Sequence, residues 1–216
     1  MNTSGVWEIT LLSLKVSGVA TAISLLIGLP IGTGLALSRF RGRNFLLSVV
    51  NTGMALPPVV VGLAVALTLW RSGPLGRLNL IYTPTAIVIA QTIISAPVVT
   101  GLTSAALQQL DPRLRLQLYG LGASRLQMIF NLWRQTRLPL LAAVMAGFGS
   151  VISEVGASMM VGGNILHQTR VLTTAIVLQT DMGNFGNAIS LGILLLVITF
   201  LVNYTLTWIQ QRGRKR

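Results

Sequence analysis

Five long apolar stretches dominate this chain, at residues 16–37, 45–69, 84–107, 138–163 and 188–209, each 22 to 26 residues long. A helix crossing a hydrocarbon core of about 30 Å needs about 20 residues, so each stretch can span a bilayer. Four hold no charged side chain, and the stretch at 138–163 holds only Glu154. Charged residues make up 9% of the chain, against roughly a quarter in soluble domains. The sequence therefore predicts an all-α membrane protein with five transmembrane helices, forming one domain over 1–216.

The same scarcity of polar groups excludes much chemistry. The chain has no cysteine, so it offers no disulfide framework, thiolate nucleophile or zinc ribbon. Its single histidine, His167, cannot form a metal cluster, and its four acids, Glu8, Asp111, Glu154 and Asp181, are far apart in sequence. A membrane-embedded enzyme would need a Ser/His, Asp/Asp or zinc constellation, and little here could build one. No Gly-x-x-x-x-Gly-Lys-Ser/Thr loop is present, so any ATP used is bound by another chain.

A net charge of +12 could suggest nucleic acid, but the 16 basic residues alternate by loop instead of gathering on one face. Arg39, Arg41 and Arg43 follow the first span. Arg113, Arg115, Arg125, Arg134 and Arg137 lie between the third and fourth, and Arg212, Arg214, Lys215 and Arg216 end the chain. Lys15, Arg71, Arg77 and Arg170 fall on the other side. The positive-inside bias predicts an extracytoplasmic N-terminus, a cytoplasmic loop at 108–137 and a cytoplasmic C-terminus. Residues 1–10 lack a cationic segment, and Leu25 to Leu37 offers no Ala-x-Ala site ahead of the arginine cluster, so the first span is expected to be retained.

The spans are rich in residues that shape backbones. Small residues let helices approach closely, and prolines free carbonyls that must find partners inside a bundle. Most such positions need no further role, but two are singled out. The Leu56-Pro57-Pro58 break and the fourth span are expected to line a cavity. The fourth span combines Glu154 with Ser150, Ser153, Ser158, Gly156, Gly162 and Gly163, followed by Asn164. An intramembrane carboxylate is costly unless it faces protein or water. It serves either a translocation path or a structural hydrogen-bond network. A charged carboxylate exposed at this depth is unfavourable on either reading, so Glu154 is expected to point sideways into helix contacts or to be protonated, with the hydroxyls and Asn164 facing the path.

In the loop at 108–137, Asp111 is placed to cap a helix whose first residue is Pro112, Gly122 to stop it, and Ser124 to cap a second. Leu126, Ile129, Phe130 and Trp133 recur at helical spacing and give the second helix one apolar edge. That edge could rest on membrane lipid or dock a soluble partner.

At these residues the chain resembles the permease subunits of ABC importers, whose cytoplasmic loop runs from Asp-Pro through a Gly-Ala-Ser turn to Leu-Pro. Here these are Asp111-Pro112, Gly122-Ala123-Ser124 and Leu138-Pro139. Residues 56–62, the loop 71–76, and 152–165 followed by Thr169-Arg170 resemble the molybdate, tungstate and sulfate branch. With Thr173-Thr174-Ala175-Ile176, the likeness is greatest to tungstate-type permeases.

The resemblance implies a five-helix type I importer permease core that binds no cofactor itself. It further implies a homodimer lining the pathway, two ATP-binding cassette subunits holding ATP and magnesium, and an extracytoplasmic binding protein delivering an oxyanion. It assigns ATPase coupling to Gly122, Ala123, Ser124, Arg125, Leu126, Met128, Ile129 and Phe130. The chain departs from the family pattern at Leu116, Gln117 and Leu118, where relatives carry Glu-Ala-Ala. Gly122 and Pro139 are also 17 residues apart, roughly one helical turn more than in many relatives. A channel or secondary transporter acting alone is the alternative from another class.

Overall fold

The computed structural model describes residues 3–212; Arg214, Lys215 and Arg216, counted above with the basic C-terminus, lie outside the described residues. In chain order the helices are α1 (Thr3–Leu37), α2 (Arg43–Met54), α3 (Pro58–Leu69), α4 (Pro84–Gln108), α5 (Pro112–Gly120), α6 (Arg125–Gln135), α7 (Arg137–Ile152), α8 (Gly156–Gly162), α9 (Leu172–Asp181) and α10 (Phe185–Arg212). A 3₁₀ turn at Gly76–Leu78 sits in the loop between α3 and α4.

Helices α4 and α10 match two expected spans to within three residues at either end. Three expectations are corrected. The stretch at 16–37 is only the second part of a 35-residue helix, about 52 Å long at 1.5 Å per residue. Glu8 and Lys15 lower the hydropathy of its first part, yet Ile9 is buried there against Leu172, Ala175 and Leu191.

The stretch at 45–69 is two helices, α2 and α3, bent by 99°. Pro57 and Pro58 are the cause, because neither offers the N–H that a continuous helix needs. Pro57 is extended (φ −62°, ψ 123°), and Pro58 opens α3, where its missing donor costs nothing. The stretch at 138–163 also breaks, into α7 and α8. Alone, the 16 residues of α7 reach about 24 Å, short of the hydrocarbon core. Among the described residues, three helices are individually long and apolar enough to cross a membrane, and up to five spans result if the bent pairs α2–α3 (99°) and α6–α7 (75°) each count as one.

Helix α4 occupies the centre and packs on α1, α2, α3, α7 and α8. Glycines permit that closeness. A Cβ on Gly28 of α1 would sit 2.8 Å from Val99 Cγ1, and one on Gly147 of α7 would sit 2.9 Å from Ser95 Oγ.

The two ends of the bundle differ in charge, as the sequence order anticipates. At one end Arg43 Nε donates to Leu35 O (2.7 Å) and Arg115 Nη2 to Leu37 O (2.9 Å), so two arginines cap the last carbonyls of α1. Gln210 Nε2 donates to Leu138 O (3.1 Å) and brings the end of α10 to the same level. At the opposite end Glu8 Oε2 lies 2.6 Å from His167 Nδ1.

Candidate translocation and coupling sites

The break between α7 and α8 is held by side chains from α4 and α9 and by its own Glu154. Val151, near the end of α7, has its carbonyl open to donors because the helix stops at Ile152. Gln91 of α4 donates its Nε2–H to that carbonyl (3.1 Å), and the Glu154 N–H reaches it as well (3.2 Å). Glu154 then turns inward. It is 7% exposed, and its Oε1 accepts the Ala157 N–H (2.8 Å), supplying a side-chain acceptor to the first turn of α8. Thr173 of α9 donates its hydroxyl to Glu154 O (2.8 Å). Glu154 is thus engaged sideways in helix contacts, one of the two arrangements expected of it.

Close packing surrounds the break. A Cβ on Gly62 of α3 would come within 2.6 Å of Ala157 Cα, and one on Gly156 within 2.6 Å of Val59 Cγ2, so α3 and α8 cross at their backbones. Gly162 abuts Ile87 of α4 (2.8 Å to a built Cβ). Gly163 takes a left-handed φ of 69° to end α8, and its face is covered by the ring of Tyr82. Tyr82 itself has φ 61°, donates its N–H to Val161 O (2.9 Å) and meets Trp70 edge to face. The loop between α3 and α4 is therefore fastened to the end of α8.

The hydroxyls expected to face a pathway separate into different environments. Ser153 is exposed, but it donates its proton to Gly149 O (2.8 Å); Ser150 donates to Gly147 O (2.8 Å). Ser158 is buried at 1% exposure, and its Oγ has no hydrogen-bond partner among the described residues. Asn164 accepts from Arg170 Nε at its Oδ1 (3.2 Å) and donates to Thr174 O (3.4 Å). In this conformation the set forms a wall around a helix break, with Ser153 its exposed member.

Sequence reasoning missed Gln91, Thr173 and Tyr82. Gln91 and Thr173 are two of several polar residues in α4 and α9, so neither stands out in the sequence; that they converge on the break at 153–155 follows only from tertiary packing.

At the arginine-rich end the local signals were accurate. Asp111 Oδ1 accepts the Arg113 N–H (2.8 Å) ahead of Pro112. Gly122 adopts φ 80° past the end of α5. Ser124 and Gln127 exchange hydrogen bonds in a capping box that starts α6. The apolar residues of α6 divide by face. Met128 is 2% exposed and packs with Leu107 and Leu132, so it supports the helix from beneath. Leu126 and Phe130, one turn apart, are 79% and 67% exposed, with Ala123 and Ile129 partly covered and Arg125 exposed. The result is an apolar knob on a capped two-helix platform. Leu116 and Gln117, where the family pattern differs, are exposed on α5.

The sequence profile of the family described as binding-protein-dependent transport system inner membrane component matches residues 28–215. The chain belongs to this family. The tungstate uptake system permease protein TupB of Peptoclostridium acidaminophilum is 40% identical to the permease over 206 residues, covering 95% of this chain and 90% of that protein. A probable anion ABC transporter permease protein of Haloferax volcanii is 39% identical, with 94% and 90% covered. The molybdenum transport system permease protein ModB of Escherichia coli is 29% identical, with 97% and 96% covered. In fold, the permease is similar to a chain of the MetNI methionine ABC transporter in an inward-facing conformation, with a TM-score of 0.78 at 18% identity over 97% of this chain and 94% of that one. The permease is a transport subunit of an ABC importer and not an enzyme; ATP hydrolysis and substrate capture belong to separate components.

Proposed function

We propose that the permease forms, as a homodimer, the membrane pathway of an ATP-driven tungstate importer. The observation that carries this reading is the 40% identity to a tungstate permease over 95% of the chain, together with a capped, exposed knob suited to an ATPase cleft. Leu126 and Phe130 are the docking residues, and Gly122, Ala123, Ser124, Arg125, Met128 and Ile129 shape and support them. ATPase closure would push this rigid platform, and the break at 153–155 would let α8 move relative to α7, giving alternating access. The wall of Ser150, Ser153, Glu154, Gly156, Ser158, Gly162, Gly163 and Asn164 is the gate region. An extracytoplasmic binding protein would choose the anion, because a pathway must hold it weakly enough to release it. The charge distribution supports a cytoplasmic C-terminus and arginine-rich end.

Proteoliposomes carrying the permease, its ATPase and its binding protein test this directly. ATP-dependent uptake of tungstate in preference to molybdate and sulfate is expected, with uptake lost and ATP hydrolysis uncoupled in Leu126→Asp. Uptake that needs no ATPase, or is driven by an ion gradient, would overturn the reading; preference for molybdate or sulfate would move it to those branches.

A further inference from the structure

A cavity of about 570 Å³ opens between the end of α1 and the pair α5–α6. Its polar lining includes Arg115, Arg125, Thr33, Ser38 and Tyr119. Apolar walls come from Pro30 and Gly34 of α1 and from Ile129 and Trp133 of α6. A second, smaller cavity of about 240 Å³ shares Leu37, Ser38 and Arg115 with the first and adds Arg39 and Arg43. Among the described residues, no aspartate or glutamate lines either one. Four arginines therefore surround linked cavities without a carboxylate lining either.

We infer that this cavity binds the phosphodiester headgroup of an anionic phospholipid, with an acyl chain lying along α1. Three features select a lipid over a soluble anion. First, the site lies at the level where α1 ends, with its C-terminal carbonyls held by Arg43 and Arg115, which is where a headgroup layer meets a spanning helix. Second, the cavity does not close against α1. Leu26, Pro30 and Gly34, spaced by four, form an exposed stripe that runs from the apolar part of the helix into it, and a Cβ on Gly34 would meet nothing within 4 Å. Third, the indole of Trp133 donates to Thr33 Oγ1 (2.9 Å), fixing an aromatic ring at the same level, as is common at membrane interfaces. Basic pockets between spanning helices take anionic headgroups by this combination of charge and apolar floor. The site adjoins the coupling knob, since Arg125 and Leu126 belong to both, so a bound lipid would brace α6 against α1.

The test uses the full permease assembled with its ATPase in nanodiscs of phosphatidylcholine doped with phosphatidylglycerol, with retained lipids counted by native mass spectrometry. Preferential retention of phosphatidylglycerol is expected. Arg115→Gln and Arg125→Gln should each weaken it about fivefold. Gly34→Leu keeps every charge and enters open space, and it should weaken retention by occupying the acyl groove. If Arg115→Gln fails to fold, the other two variants decide. Equal retention of phosphatidylcholine, retention unchanged in Arg125→Gln and Gly34→Leu, displacement by inorganic phosphate, or loss of lipid when the ATPase docks would each overturn the inference.

Discussion

Two spans of the permease are interrupted, and they are interrupted differently. At 55–57 the backbone itself forbids a continuous helix, because Pro57 and Pro58 withhold donors and the chain bends by 99°. At 153–155 no proline intervenes. The ends are instead held by Gln91 on Val151 O, by Glu154 on the Ala157 N–H and by Thr173 on Glu154 O. A covalent break is fixed, whereas a break held by its own Glu154 and by hydrogen bonds from two neighbouring helices, α4 and α9, can rearrange when those helices move. On the mechanism proposed above, α2–α3 is the rigid corner and α7–α8 the movable joint. The two are in contact, since Gly62 of α3 lies against Ala157 of α8.

The contact between the breaks should be the most sensitive point. Gly62→Leu drives a side chain into the Ala157 backbone, and a loss of about 3 kcal/mol or more is expected, seen as failure to purify as a monodisperse transporter. A normal elution profile would show that α3 and α8 can separate freely.

The joint itself comes next. Glu154→Leu leaves the Ala157 N–H without its acceptor and should cost about 2 kcal/mol in thermal unfolding of the detergent-solubilised protein. Glu154→Gln keeps an acceptor oxygen and should cost less than about 1 kcal/mol while retaining substantial uptake. Equal losses in the two variants would mean that charge, not the cap, matters at this position.

How legible these features are in the sequence follows the same division. Whatever depends on local covalent chemistry could be read directly: the Pro57-Pro58 corner, the Asp111-Pro112 start of α5, the Gly122 stop and the Ser124–Gln127 capping box of α6. The bounds of α4 and α10 were equally plain, because continuous apolar runs leave a helix no reason to stop. Helix α9 was not legible. Its ten residues are too short to register as a span, and it is a helix because its buried face, with Leu172 and Ala175, packs on Ile9 and Leu191. The first part of α1 was obscured by Glu8 and Lys15. Glu154 was recognised as exceptional, but Thr173, which donates to its carbonyl, sits 19 residues away in sequence, and Gln91 sits 60 residues from Val151, whose carbonyl it holds; only packing brings them together.

The smallest effect is expected at the rigid corner. Pro58→Ala leaves Pro57 to enforce the bend and restores a donor at a helix start that needs none, so stability should fall by less than about 1 kcal/mol, mainly through a more flexible unfolded chain. A larger loss, with impaired uptake, would make the corner a second working joint.

The central claim is that the joint at 153–155 lines the pathway and moves with the transport cycle. The permease has no native cysteine, and Ser153 is exposed beside the joint, so Ser153→Cys provides a single reporter within this chain. Its labelling by a water-soluble maleimide should be measured in the assembled transporter, without nucleotide and with ATP bound. The account predicts labelling at different rates in the two states, slowed by tungstate in the state open to it. Equal rates in both states, with no protection by tungstate and with labelling by a lipid-soluble reagent instead, would place this residue against lipid and contradict the account.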